Sequence, residues 1–351
     1  MSRPLRLLVT AILLIAGCTE APSGRVIVLG IDGVDPAAVE LLASEGKLPF
    51  FARLQREGAW GELASMDPML SPILWTTMAT GKRPEDHGIL DFVATDSATG
   101  KQLPVTSRMR RLKALWNIAS EHGRTVAVVG WWATWPPEAV NGWMVSDHTC
   151  YHFLFTEAAG SNEVLTHPPE LAAEITPLVR RPADVGYAEA STYLQVSESE
   201  LDRPFDFEDP SSQLRWALAT ADSYRGIGLH LWRSRRPDLL MVYIEAVDTT
   251  SHLFGHLFRT EGLVGELGEQ QQRYGHAVEE MYRYADRMVG EVLAAMDEED
   301  TLLIASDHGF SLGQLHPDPR VTTDMRRISA RFHRRQGIVA GERPRRPPRG
   351  P

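Results

Sequence analysis

The sequence predicts an α/β protein with a mainly parallel central sheet and helices on both faces. Four runs, RVIVLGID (25–32), TVAVVG (125–130), DLLMVYIEAVD (238–248) and TLLIASD (301–307), are continuously apolar rather than alternating, the pattern of strands buried on both faces. Stretches of helical period stand between them, as in a sheet built from strand–helix–strand units. Three of the runs end in Asp32, Asp248 and Asp307, at the carboxyl edge where such sheets bind ligands.

The elements follow in order. Pro36 to about Gly58 reads as one helix, with Pro36 near its start. Ser71-Pro72 reads as a second helix start, Ser at the cap and Pro at the first helical position. A helical stretch around Leu112–His122 precedes the second strand. Residues 151–234 hold Pro-, Glu- and Ser-rich pieces leading into a long helix at about 210–234; they are expected to form an insertion or cap over the sheet. Tyr274, Val278, Met281, Ala285, Met288 and Val292 recur every three or four residues, one apolar helix face meant for core packing. The expected layout is thus a core of residues 25–150 and 235–341, a cap of 151–234, and an Arg/Pro-rich tail of 342–351. No internal repeat is present.

The N-terminus reads as an export signal: Arg3 and Arg6, an apolar stretch from Leu7 to Ala16, then Gly17-Cys18, too short for a membrane span. Ile15-Ala16-Gly17-Cys18 resembles the bacterial lipobox, so residues 1–17 are expected to be a lipoprotein signal, Cys18 the lipidated residue, and 18–24 a linker. The expected product is an exported, membrane-anchored lipoprotein of the periplasm or cell surface; Thr19 leans toward the outer membrane if the source is Gram-negative. Cys150 is the only other thiol, which leaves no internal disulfide and puts the burden of stability on the core or on metals.

Charge narrows the partners. The chain has 36 Lys and Arg against 46 Asp and Glu, and ten Arg with only two acids lie from Arg320 onward, so residues 1–319 carry 26 basic against 44 acidic groups. Such a body argues against binding nucleic acid. It does not argue against a small phosphate ester held by metal.

The chemistry-bearing residues cluster at the strand ends. Asp248 and His252 stand one helical turn apart, a spacing that puts carboxylate and imidazole on one face, suited to zinc. Asp307-His308 supplies an adjacent pair. Mixed oxygen and nitrogen donors suit zinc better than calcium. In MLSPILWTTMATGKRPEDHGILDF (69–92), Ser71 is either a structural helix cap or a hydroxyl set where free helix N–H groups favour a phosphate. With a metal to lower its pKa, such a Ser is a nucleophile. Trp131, Trp132 and Trp135 are candidates for a pocket wall or for a buried aromatic cluster.

An apolar strand ending in Asp, then S-P-x-x-W-x-x-x-x-T-G-x-x-P-x-x-H-G-I, D-x-x-x-H, S-D-H-G and a later His together resemble the alkaline phosphatase superfamily, in its type I phosphodiesterase/nucleotide pyrophosphatase branch. The resemblance runs from about residue 25 to 340 and is loose over 151–234. It implies two divalent metals, usually zinc, bridged through the nucleophile: one held by Asp32, Asp307 and His308 with Ser71, the other by Asp248, His252 and His333. His316 and His256 compete with His333 for the last place. Asp147-His148 has no role in that pattern. The implied activity is hydrolysis of phosphate esters through a phosphoserine. The alternatives are a phosphomutase or head-group transferase of the same superfamily, or a non-catalytic lipoprotein. The sulfatase C/S-x-P-x-R motif is absent. Three departures stand out: Phe92 where nucleotide pyrophosphatases place a phosphate-binding Asn, Ser71 where many use Thr, and AGERPRRPPRGP where the family continues with further elements. A truncated C-terminus is therefore expected.

Overall fold

The structure, a computed structural model, describes residues 24–95, 99–150, 164–314, 328 and 331–342. The signal segment with Cys18, His316 and the Arg/Pro stretch beyond Glu342 lie outside the described residues.

The strands are β1 (Val26–Ile31), β2 (Ala59–Ala64), β3 (Val93–Thr95), β4 (Gln102–Pro104), β5 (Val126–Val129), β6 (Gly142–Val145), β7 (Thr166–His167), β8 (Leu239–Ile244), β9 (Thr301–Ala305), β10 (Gly309–Phe310), β11 (His333–Arg334) and β12 (Gln336–Glu342). Eight form the main sheet in the order β2-β12-β9-β1-β8-β5-β6-β7. From β9 to β6 every pairing is parallel, and the outer partners are antiparallel. The four apolar runs are β1, β5, β8 and β9, the centre of the sheet, where burial on both faces demands such sequences.

Alternation along β1 divides the core. Ile27, Leu29 and Ile31 point into a large cluster that takes in the helices Pro36–Ser44, Pro49–Glu57, Pro210–Arg235, Ala246–Phe254 and Ala277–Ala295. Val28 points the other way, into a cluster with Trp75 of the Ser71–Thr80 helix and Trp116 of the Leu115–Glu121 helix. The Ala277–Ala295 helix buries Val278, Met281, Ala285, Met288 and Val292, as its period predicts; Tyr274 belongs to the helix before it. The Pro210–Arg235 helix lies in the core layer, with Leu214, Leu218, Ile227 and Leu231 in the large cluster.

Two expectations need correcting. Residues 36–58 form two helices rather than one, because Gly46 turns the chain at φ 74° and Pro49 starts afresh. The second helix has no cap of its own at Leu48; the buried Asp286 instead accepts from the N–H groups of Phe50 (3.0 Å) and Phe51 (2.8 Å). The helix after Met69 begins with Ser71 itself, and Leu70 is its cap residue. Ser71 is thus one position further in than its sequence suggests, and no side chain caps that end.

Candidate metal centre

The carboxyl edge of the sheet gathers the expected ligands. Asp32 follows β1 directly and is 1% exposed. Its Oδ2 accepts from the Trp75 indole (2.9 Å) and the Tyr243 hydroxyl (2.6 Å), which leaves Oδ1 buried without a partner. That oxygen lies 3.3 Å from His308 Nε2. Gly33 turns the chain just beyond it at φ 73°, and a Cβ there would stand 2.8 Å from Asp248 Cβ. A larger residue would push the two carboxylate-bearing segments apart.

Asp248 is not at a strand end, as the sequence suggests. β8 closes at Ile244, and Asp248 lies in the first turn of the Ala246–Phe254 helix, with His252 one turn on. Only Glu245 interrupts the apolar run at this junction, and Ala246 and Val247 resume it, so the sequence does not mark the change from strand to helix. Asp248 Oδ2 is 3.5 Å from His252 Nε2, and its Oδ1 is 3.5 Å from His333 Nε2 and 3.9 Å from His308 Nε2.

Asp307 and His308 follow β9. Neither Asp307 oxygen has a partner, nor does His308 Nε2, and both residues are fully enclosed. His308 Nδ1–H donates to the Gly309 carbonyl (3.0 Å), which turns Nε2 inward. Ser306 holds the loop: its hydroxyl donates to the His308 carbonyl (3.0 Å) and accepts from Val34 N–H (2.8 Å). Gly309 is required by close approach, since a Cβ would sit 2.3 Å from the Gln336 carbonyl oxygen.

His333, on β11, completes the cluster. Its Nδ1–H donates to the Met69 carbonyl (2.9 Å), and its Nε2 lies 2.9 Å from His252 Nε2. Its ring stacks on His308 at 3.6 Å. Two sets of three donors lie within 4.8 Å of one another: Asp32, Asp307 and His308, and Asp248, His308 and His333. His252 reaches the second set through His333 and Asp248.

Ser71 is 7% exposed and sits between two anchors of this cluster. Met69 accepts from His333, and Trp75, one turn beyond Ser71, donates to Asp32. The segment carrying the hydroxyl is therefore tied at both ends to candidate ligands. Met69 and Tyr243 escaped the sequence reading, and Trp75 and Ser306 stood in its motifs without a role; the structure gives all four a part in holding the cluster.

The electrostatics of the cluster are those of buried, crowded carboxylates. Burial, then the neighbouring Asp32, holds the Asp248 carboxyl well above the usual range, and the same two causes act on Asp307. Burial pushes all three imidazoles down, His252 to about 4 and His333 well below the usual value, with His308 adding repulsion to both. Crowded carboxylates and neutral imidazoles with unpaired lone pairs are the donor set of a divalent cation. The residues fit a metal.

Of the two competing histidines, His256 does not join the cluster. His256 lies on a separate turn, 3.4 Å from Gln270 Oε1. His87, of the H-G-I stretch, is a fully buried spacer whose Nε2 lies 3.0 Å from Thr77 Oγ1 and whose Nδ1 accepts from Ile89 N–H (3.2 Å). Asp147 accepts from Ala133 N–H (2.8 Å), and His148 stacks on Trp135 at 4.4 Å.

A mainly parallel sheet with carboxylates and imidazoles converging at its carboxyl edge defines an α/β protein built around a candidate metal centre. The chain belongs to the type I phosphodiesterase/nucleotide pyrophosphatase family, whose profile matches residues 26–338. Among solved structures it is similar to phosphonoacetate hydrolase from Sinorhizobium meliloti in complex with phosphonoformate, at 16% identity and a TM-score of 0.50 over 83% of this chain and 57% of that one. It is also similar to murine ectonucleotide pyrophosphatase/phosphodiesterase 5, at 13% identity and a TM-score of 0.46 over 82% of this chain and 57% of that one. The first of these likenesses shows the alkaline phosphatase-like fold. The chain spans a little over half the length of these neighbours. No curated protein matches it.

Proposed function

We propose that the protein hydrolyses phosphate esters with Ser71 as nucleophile and two divalent cations, zinc by donor type, as cofactors. The observation that carries this is the set of buried, unpartnered ligand atoms of Asp32, Asp248, Asp307 and His308 around the tether of Ser71. Asp32, Asp307 and His308, with Ser71, would hold one cation; Asp248, His252 and His333 would hold the other, with His308 close enough to serve either set. Bound there, the cations would stabilise negative charge on the attacking and leaving oxygens and favour the ionised Ser71 hydroxyl.

The chain's own residues do the rest. Ser71 Oγ attacks phosphorus, forming a serine–phosphate bond as the bond to the departing alcohol breaks. Water then attacks the same phosphorus, which releases phosphate, or a phosphate monoester from a diester, and restores Ser71. Pro72 has no N–H and those of Ile73 and Leu74 donate to the Leu70 carbonyl, so the first turn of this helix offers the phosphoryl oxygens the Ser71 N–H and a positive dipole end. Trp75 and Tyr243 fix Asp32 so that only Oδ1 faces the centre. The reading is tested by initial rates of zinc-loaded protein lacking residues 1–23 on matched aryl diester, monoester and sulfate substrates. Ser71-dependent turnover of a phosphate ester supports it, and metal binding without such turnover contradicts it. Added alcohol acceptors would reveal transfer in place of hydrolysis.

We also infer export and lipid anchoring at Cys18, from the basic, apolar and small-residue succession of residues 3–18. No helix among the described residues is long and apolar enough to cross a membrane. Detergent-phase partitioning of the full chain, lost on Cys18→Ser, checks it.

A further inference from the structure

The loop that leaves β5 emerges on the same edge of the sheet as the ligand cluster. Leu29 of β1 and Val129 of β5 both pair with Val242 of β8, so Trp131 and Trp132 leave β5 level with Ile31 and Asp32 at the end of β1. The loop is firmly held. Trp131 Nε1–H donates to the Trp75 carbonyl (3.0 Å), on the helix that Ser71 begins. The Thr134 hydroxyl donates to the Trp131 carbonyl (2.6 Å), and Ala133 N–H donates to Asp147 (2.8 Å).

So fixed, the Trp132 ring lies edge-on to Tyr243 at 6.2 Å, and Tyr243 is the residue whose hydroxyl bonds Asp32. Its other neighbour is Phe92, at 5.5 Å, whose side chain offers no donor. Trp132 Nε1 is buried and has no acceptor. An indole N–H shut away from water without a partner costs free energy, and proteins rarely leave one so. Trp131, its neighbour in sequence, has its acceptor within the fold; Trp132 does not.

We propose that Trp132 is a substrate-contact residue whose indole N–H donates to an oxygen of the bound phosphate or phosphate ester. This rests on the phosphate-ester reading of the same site. A neutral donor on a pinned loop binds an oxyanion without adding a cation to the site.

The test is titration of zinc-loaded protein with inorganic phosphate by calorimetry, for the wild type and Trp132→Phe, which keeps an aromatic ring against Phe92 and Tyr243 and deletes only the donor. Phosphate affinity should fall about tenfold or more, as for other hydrogen bonds to charged groups, with zinc content unchanged. In the wild-type protein the Trp132 indole N–H resonance, assigned by through-bond connectivity to its own backbone, should move on phosphate addition. That second measurement stands even if the variant folds poorly. Equal phosphate affinity in Trp132→Phe, or an indole resonance that ignores phosphate, would overturn the proposal and leave the phosphate-ester reading intact. Wild-type protein that binds zinc but no phosphate would sink both.

Discussion

Ser146-Asp147-His148 and Ser306-Asp307-His308 are the same three residues at the ends of two parallel strands of one sheet, and they have opposite fates. Both carboxylates are buried, and burial raises the pKa of both. Asp147 is answered by the backbone N–H of Ala133, and its own N–H donates to the Thr134 hydroxyl (3.0 Å), so it clasps the loop between β5 and β6. Asp307 has no donor on either oxygen and faces Asp32, Asp248 and His308. His148 lies flat on Trp135, while His308 aims an unpartnered Nε2 at two other carboxylates. The difference comes from the neighbours. β9 adjoins β1, whose end supplies Asp32, whereas β6 lies beyond β5, away from both β1 and β8. A carboxylate that the backbone satisfies is structure; one left unsatisfied beside other carboxylates is a candidate ligand for a cation.

The contrast can be broken or sharpened by mutation. Ser71→Ala should have the largest effect, lowering turnover at least about a thousandfold, the scale of losing a nucleophile, with zinc content unchanged by elemental analysis. Asp307→Asn should weaken zinc binding by more than the roughly 10–100-fold typical of an outer-shell loss, while Asp147→Asn should leave zinc affinity alone in a competition titration with a chromogenic chelator. Trp75→Phe removes the indole donor from Asp32 and should fall between them, at about 10–100-fold in zinc affinity.

A separate effect concerns pH. The folded Asp147 carboxyl is raised from 3.8 to about 7, so the folded state holds a proton that the unfolded chain has lost between about pH 4 and 7. Stability from this group is therefore full below about pH 4 and declines as pH rises through 7, by at most about 4 kcal/mol. Asp147→Asn should flatten that decline in urea unfolding at pH 5 and pH 8. A difference between the two proteins that is the same at both pH values would contradict the shift.

Much of this was legible in the sequence because burial on both faces leaves no choice of residue. β1, β5, β8 and β9 announce themselves as unbroken apolar runs, and Asp32 and Asp307 stand out as charges where the runs stop. Asp248 was legible as a residue but not as a position, since Ala246 and Val247 resume the apolar pattern of β8 after Glu245, in a helix with no side-chain cap to mark its start. The outer strands were hidden for a different reason. β12 pairs with β2, some 275 residues earlier, and β2 is largely exposed, so neither shows the doubly buried pattern. The partners of Asp32 were hidden too: Tyr243 reads as one more apolar residue of β8, and only the fold turns its hydroxyl toward a carboxylate. Nor could the sequence separate the two Asp-His pairs by themselves. Order among the other motifs did so, and the hydrogen bonds give the physical reason.

The most direct measurement is the zinc content of purified wild-type, Asp307→Asn and Asp147→Asn proteins after dialysis, read by elemental analysis beside the melting temperature with and without a chelator. Expected are about two zinc ions per wild-type and Asp147→Asn chain, a clear deficit in Asp307→Asn, and a melting temperature that falls on chelation only where zinc was bound. A wild-type chain without zinc, or an Asp147→Asn chain as depleted as Asp307→Asn, would contradict the metal centre described here.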